Sequence, residues 1–375
     1  MASSKVMTGI LVLAWIVALG SLVALWNLGW LGTPSFEMGI LYDTPGPELF
    51  AGLLGLCLLG SVYLIGHGAW RLWAGQRTSA AANLFSGVIV ACLAGLFVLD
   101  VLANEDAEIP VVGPNTKPAN PVKSLRLFNL NVLHGYPAFE RQHARFRETD
   151  DILQQFRTDL IVLQEVCNST EHGYLMDDLG RGRNHTFARA NGSRRRIGFE
   201  EGSAVLSRLP ILESKRIVLR PRDPFWENRI ALVAKLHLGG NETLTLVGVH
   251  LSDSASAGAQ AEFLMTALRD DAPDIIVGDL NAEPSSRAVN AIINAGYLEA
   301  IPTEAIHGRE HYKLPHELVS GPIIDHLFLS ASFLKDWKIE RTSWVLTSKP
   351  VTVDAVLVRD AVSDHDAILI DLVRR

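Results

Sequence analysis

The chain has 375 residues, 48% of them hydrophobic and 20% charged, with a formal net charge of −7 and a mean hydropathy of +0.18. It is too apolar for an ordinary soluble enzyme of this length, and its negative balance excludes a globally basic nucleic-acid binder. Cys57 and Cys92 lie in apolar stretches, so Cys167 stands alone in the remainder and no disulfide framework can form there.

The apolar excess lies ahead of Asn104, in Val6 to Leu31, Leu49 to Trp70 and Asn83 to Leu99. A helix needs roughly 20 apolar residues to cross the hydrocarbon core, and the third stretch approaches that with Val101 and Leu102. Residues 1–103 are therefore expected to form a membrane domain with three transmembrane helices. A cleaved signal peptide is the alternative for the first stretch, with Lys5 ahead of it and the small-x-small triplet Ala18-Leu19-Gly20; the apolar run continues past signal-peptide length. Lys5 precedes the first span, and Arg71 and Arg77 separate the second from the third. Acidic Glu37 and Asp43 occupy the first loop, and Glu105, Asp106 and Glu108 follow the third span. The positive-inside rule then gives a multi-pass cell-membrane protein with everything after Leu102 outside the cytoplasm.

Residues 104–123 read as a Pro-rich linker without periodicity. The following 124–375 segment, about 250 residues, is enough for one large α/β domain. Period-two and wholly apolar runs predict strands at 124–131, 159–165, 203–207, 230–238, 243–250, 274–278, 323–330 and 366–373. Helical spacing appears at 140–157, 256–270 and 286–295. The strands at 230–238 and 243–250, joined by Gly239-Gly240-Asn241, predict an antiparallel hairpin and hence mixed sheets.

Short polar segments close these apolar runs: Asn131, Gln164-Glu165, His250-Leu251, Gly278-Asp279-Leu280-Asn281, Ile324-Asp325-His326 and Ser363-Asp364-His365. Strand ends are where α/β folds place chemistry. Taken singly, each is a turn residue or cap, as Asn281-Ala282-Glu283-Pro284 illustrates. Together they supply the acid, base and metal-ligand types that an active site requires.

With Ser203-Ala204-Val205-Leu206-Ser207, these segments in this order resemble the endonuclease/exonuclease/phosphatase superfamily, which has the DNase I-like fold, over nearly all of 124–375. The resemblance implies a four-layer α/β/β/α sandwich of two mixed β-sheets, here preceded by the three apolar stretches, which lie outside it. It also implies a divalent-metal-dependent phosphoric ester hydrolase.

Phosphate-ester hydrolysis needs a cation on a phosphoryl oxygen, an oriented water and donors for developing charge. Glu165 and Asn131 are the expected ligands of Mg²⁺ or Mn²⁺, and Asp364 can join them; the resemblance points to the first two. Asp279 is expected to orient or deprotonate the water while Asn281 donates to the phosphate, the Asp-x-Asn spacing placing both on one face of an extended segment. His365 is expected to contact the scissile phosphate, held in one tautomer by Asp325. His250 is expected to donate to the phosphoryl group or leaving oxygen. Whether Asp279 or His365 is the base stays open.

The basic segment from Arg181-Gly182-Arg183 to Arg194-Arg195-Arg196 reads equally as a polyanion clamp or as a solvated loop neutralised by Glu200 and Glu201. The expected substrate is a phosphate ester in a lipid headgroup or a nucleic acid, with membrane tethering favouring the former; no protein partner is inferred. The alternative from another class is a non-catalytic, membrane-anchored binding or scaffold module that retains the fold.

Overall fold

The structure is a computed structural model. It describes residues 46–76, 80–81, 83–92, 106–116, 118, 120–133, 142–169, 176, 179–193, 199–222, 227–300, 302, 304–307, 310–314, 323–348, 351–353, 356–359 and 361–375. The backbone divides into two compact units, Met1–Ala103 with Gly135–Glu140, and Asn104–His134 with Arg141–Arg375.

In the first unit, the second apolar stretch forms a single helix, α1 (Gly46–Trp73), and residues 83–92 are also helical. The two helices approach closely where Gly68 abuts Leu84 and Gly87 abuts Ile65. Leu59, Val62, Trp70, Trp73, Phe85 and Val88 are exposed. Among the described residues no helix is long and apolar enough to cross a membrane. The three transmembrane helices expected from hydropathy are thus without support from the structure; the first apolar stretch, and the third beyond Cys92, lie outside the described residues.

The second unit begins with β1 (Ala107–Glu108), β2 (Val111–Val112), β3 (Ser124–Asn131), α2 (Gln142–Phe156), β4 (Leu160–Ser169), β5 (Asn184–Ser193), β6 (Phe199–Ser207) and β7 (Ile211–Val218). It continues with β8 (Ile230–Gly239), β9 (Glu242–His250), α3 (Ala257–Ala267), β10 (Ile275–Asp279), α4 (Arg287–Asn294), β11 (Tyr297–Glu299), β12 (Glu304–His307) and β13 (Glu310–Leu314). The last elements are β14 (Asp325–Ser330), α5 (Phe333–Asp336), β15 (Trp337–Val345), β16 (Val351–Val353), β17 (Val356–Arg359) and β18 (Ala367–Arg374).

Strands β1-β7-β8-β9-β10-β14-β11 form a seven-stranded sheet and β13-β12-β15-β18-β3-β4-β6-β5-β2 a nine-stranded one, while β16 and β17 pair with each other. Both large sheets are mixed: β9 and β10 run parallel, as do β3 and β4, among antiparallel neighbours. Leu127, Leu160, Val162 and Val205 of the nine-stranded sheet pack with Leu232, Leu246, Ile275, Val277 and Leu327 of the seven-stranded one. On the outer face of the former, Phe146, Ile152, Leu153 and Phe156 of α2 cover Phe128, Ile161, Leu163 and Leu206. On the outer face of the latter, Ala257, Ala261 and Leu264 of α3 and Val289 and Ile292 of α4 cover Val233, Val247, Ile276 and Phe328. This is the four-layer α/β/β/α sandwich. Both faces of each central strand are covered, so runs such as Leu160-Ile161-Val162-Leu163 are apolar at every position rather than alternating; each fully buried Leu, Ile or Val stabilises the fold by about 1.5–3 kcal/mol.

The hairpin of β8 and β9 forms as expected, with Gly239 paired to Glu242 and Gly240 at φ 59°, a left-handed turn position that glycine occupies without strain. Three other expectations change. Residues 104–123 carry regular structure, because β1 pairs with β7 and β2 with β5, so the Pro-rich segment supplies an edge strand to each sheet. Among its described residues, the basic segment is a turn only at Arg181, Gly182 and Arg183. Asn184–Ser193 is strand β5, paired along β6, with Asn184, Thr186, Ala188 and Ala190 buried; these small and polar inward residues hide the strand signal, and Arg194, Arg195 and Arg196 lie outside the described residues. Strands β7 and β15 also escape prediction, since Glu213-Ser214-Lys215-Arg216 and Lys338-Ile339-Glu340-Arg341 interrupt their apolar pattern.

Candidate active site

Register assembles the site. Asp279 at the end of β10 stands opposite His250 on β9 and opposite Asp325 on β14, so three polar residues from distant sequence form one row across adjacent strands. In the facing sheet, Asn131 ends β3 beside Gln164 of β4, and Ser363-Asp364-His365 precedes β18. Asp325 and His365 therefore lead into their strands, where polar residues closing strands were expected. Antiparallel neighbours bring the start of one strand to the edge where the other ends.

Glu165 is reached through an irregularity. The β4–β6 register shifts between Leu163 and Val166, and Glu165 has φ 57°, a left-handed conformation that costs a non-glycine residue roughly 1–2 kcal/mol. Gln164 then turns its amide inward to Asn129, its Nε2 donating to Asn129 Oδ1 at 2.9 Å, while the Glu165 carboxylate accepts from Asn131 Nδ2 at 2.9 Å. Asn131 Nδ2 also donates to Asp279 Oδ2 at 3.0 Å. Asp279 and Asn281 do not share a face of an extended segment, because β10 ends at Asp279 and Asn281 is left-handed at φ 47°. The Asp279 carboxylate instead accepts from the Asn281 backbone N–H at 2.8 Å, and this turn swings the Asn281 amide to 3.4 Å from His250 Nε2.

Two histidines flank Asp279. His250 Nε2 lies 3.5 Å from Asp279 Oδ2 and His365 Nε2 lies 3.7 Å from the same oxygen. His365 Nδ1 is 2.6 Å from Asp325 Oδ2, the orienting pair expected from sequence. Burial pushes the Asp279 carboxyl up, and the Asp325 charge adds to the effect; His365 and the donors Asn131 and Asn281 oppose it, leaving it at about 7. Burial alone lowers His365, but its hydrogen bond to Asp325 and the charges of Asp325, Asp279 and Asp364 outweigh this and raise it to about 10. His365 is thus protonated at neutral pH, with its Nδ1–H on Asp325 Oδ2.

Glu165 offers a carboxylate with 16% of its side chain exposed, whereas Asn131 turns Nδ2 toward it and keeps Oδ1 on the Leu133 N–H at 3.0 Å, so its oxygen joins a cation only once the amide turns over. A carboxylate, joined by an amide oxygen, suits Mg²⁺ or Mn²⁺, which keep several waters and need few protein ligands. Among the described residues no group of three or more His, Cys, Asp or Glu side chains is placed to hold a metal ion. Asp364, the third expected ligand, is 59% exposed, with Oδ1 3.9 Å from His365 Nε2.

Sequence reasoning missed two features. Arg229, one residue ahead of β8, brings Nη1 to 2.7 Å from His250 Nε2, and its Nη2 lies 2.8 Å from Glu227. A single arginine before a strand carries no local signal. Asn129 Nδ2 faces Asp325 Oδ1 at 3.4 Å, so Gln164, Asn129, Asp325 and His365 form one buried chain of polar groups. Polar residues inside otherwise apolar strands are its only trace in the sequence.

A family model for the endonuclease/exonuclease/phosphatase family matches residues 128–365. The chain belongs to this family. Members are typically metal-dependent phosphoesterases or nucleases and generally use divalent metals such as Mg²⁺. Among solved structures, the human nocturnin catalytic domain with bound sulfate is 16% identical, covers 71% of this chain and 98% of its own, and superposes with a TM-score of 0.50. D. rerio TDP2 complexed with a single-strand DNA product is 16% identical, covers 66% and 98%, and has a TM-score of 0.48. A conserved protein of unknown function from Enterococcus faecalis V583 is 17% identical, covers 67% and 100%, and has a TM-score of 0.48. At these identities the nocturnin likeness shows the fold alone. No match to a curated protein was found.

Proposed function

We propose that this family member is a divalent-cation-dependent phosphodiesterase. The observation that carries the reading is the convergence of His250 Nε2 and His365 Nε2 on Asp279 Oδ2, at 3.5 and 3.7 Å, beside Asn131 and the Glu165 carboxylate. Glu165 would hold the cation, joined by Asn131 once its amide turns Oδ1 from the Leu133 N–H toward the site; when bound, the cation supplies Lewis-acid polarisation of a phosphoryl oxygen. Asp279 and His365 act as a coupled pair that orients the attacking water and takes its proton, with Asp325 fixing the imidazole through Nδ1. Asn281 donates to the phosphoryl oxygens or the leaving oxygen, and His250 donates there once substrate displaces the Arg229 guanidinium, whose Nη1 now donates to its Nε2.

The substrate we favour is a phosphodiester in a lipid headgroup, with nucleic acid as the competing class. Three apolar stretches ahead of Asn104 and the exposed Leu59, Val62, Trp70, Trp73, Phe85 and Val88 support membrane attachment, and the basic residues flanking those stretches support a catalytic unit outside the cytoplasm. The test is hydrolysis of bis-p-nitrophenyl phosphate by the full chain with Mg²⁺ or Mn²⁺, with EDTA, and with Asp279→Ala. Metal-dependent turnover lost in the variant supports the reading; its absence in a folded chain sinks it. Dependence on bilayer presentation would then select lipid, and a steep loss of affinity with salt would select nucleic acid.

A further inference from the structure

Asp325 and His326 are consecutive on β14, so their side chains leave on opposite faces of the sheet. Asp325 turns to His365. His326 turns the other way, onto the helical layer, where it stacks on Phe328 and is almost wholly buried, with 1% of its side chain exposed. Its two ring nitrogens both meet acceptors: Nε2 lies 2.8 Å from the Ala282 carbonyl oxygen and Nδ1 lies 2.6 Å from Glu299 Oε1 on β11. A carbonyl only accepts, so Nε2 carries a proton and donates it to Ala282, while Nδ1 faces the Glu299 carboxylate.

Ala282 sits in the turn that carries the site. On one side of it, Asn281 holds a left-handed conformation and donates its backbone N–H to Asp279. On the other, the turn ends at Ser286, which caps α4 by accepting from Val289 N. The Leu280 N–H donates to Ile324 O at 2.9 Å, so this turn and the start of β14 are tied at two points, and His326 supplies the side-chain tie. We propose that His326 is a positioning residue: through its Nε2–H bond to Ala282 it holds the 279–282 turn in the conformation that places Asn281 beside His250. One dipeptide then serves both halves of the site, Asp325 orienting His365 and His326 orienting Asn281.

The kinetic arm of the test rests on the phosphodiesterase reading; the exchange and spectroscopic arms do not. His326→Phe keeps the ring stack but strands the Glu299 carboxylate, so it is made together with Glu299→Leu; His326→Gln, which retains an N–H donor near the Nε2 position, is the conservative partner. In the full chain the double variant should lose kcat on bis-p-nitrophenyl phosphate by roughly 10–100-fold, as losses of orienting partners do, with KM within about 3-fold. Its Asn281 amide should exchange hydrogen at least about 10-fold faster than in the parent, and His326→Gln should recover much of both. An NMR spectrum of the parent should show a proton on His326 Nε2. An unprotonated Nε2, or a folded double variant with parental Asn281 exchange, overturns the proposal. If the parent itself hydrolyses nothing, the phosphodiesterase reading fails while the exchange and NMR arms still decide the anchor.

Discussion

Asp279 and Asp325 stand opposite each other in the β10–β14 register, and His365 spans the two, with Nδ1 2.6 Å from Asp325 Oδ2 and Nε2 3.7 Å from Asp279 Oδ2. The Asp325 charge disfavours ionisation of the buried Asp279, and the imidazole between them opposes that effect. Asp279 is thereby held up by burial and the Asp325 charge and drawn back down by His365.

Removing the orienting carboxylate should disable this arrangement without unfolding the sandwich. Asp325→Asn keeps the shape of the side chain but withdraws the charge that holds His365 protonated and in place. The expected outcome is a roughly 100-fold fall in kcat, read by steady-state hydrolysis alongside an unchanged circular dichroism spectrum. Turnover at the parental rate would exclude His365 from the chemistry.

Glu165 is the charged ligand, so Glu165→Gln should weaken Mn²⁺ binding by roughly 10-fold or more. Calorimetric titration of the metal into the full chain reads this without any turnover. Equal affinity in parent and variant would move the cation elsewhere.

Gly278 precedes Asp279 at φ 151°, and a Cβ there would collide with the Val249 carbonyl on β9. Gly278→Ala should cost about 3 kcal/mol through backbone strain and overpacking and should displace Asp279. Urea unfolding is the measure, and a variant as stable as the parent would show that the strand absorbs the extra atom.

Away from the site, Asp371 on β18 accepts from Arg126 Nε at 2.6 Å and from Arg341 Nη2 at 2.7 Å. Burial alone would raise its pKa, but the hydrogen bonds and charges of the two arginines overcome this and hold it below the usual carboxylate value. A depressed folded-state pKa adds stability that is complete above the unfolded value of about 3.9 and is lost as pH falls through the folded value. Asp371→Asn should therefore be less stable at pH 7 by about 1 kcal/mol, since the arginines are partly exposed and the pairs screened. Denaturant titrations at pH 7 and near pH 2 should show the difference shrinking toward zero in acid; a constant difference would assign the loss to packing.

The sequence by itself determined the central strands, the α2, α3 and α4 helices and the polar residues at the sheet edges, because apolar runs such as Ile275-Ile276-Val277 are local patterns that burial on both faces demands. Order and spacing of the Asn, Glu, Asp and His residues were enough to identify the family. Only the tertiary structure decided which of those residues meet. The row of His250, Asp279 and Asp325 depends on strand order and register, which follow from packing between layers far apart in sequence. The left-handed backbone at Glu165 and Asn281 is imposed by those neighbours against local preference. Strand β5 was invisible because Asn184, Thr186, Ala188 and Ala190 are small inward residues whose burial is decided across the sandwich. Arg229 and His326 are single residues without a surrounding motif, and their partners, His250 and the Ala282 carbonyl, are brought to them only when the sheets assemble.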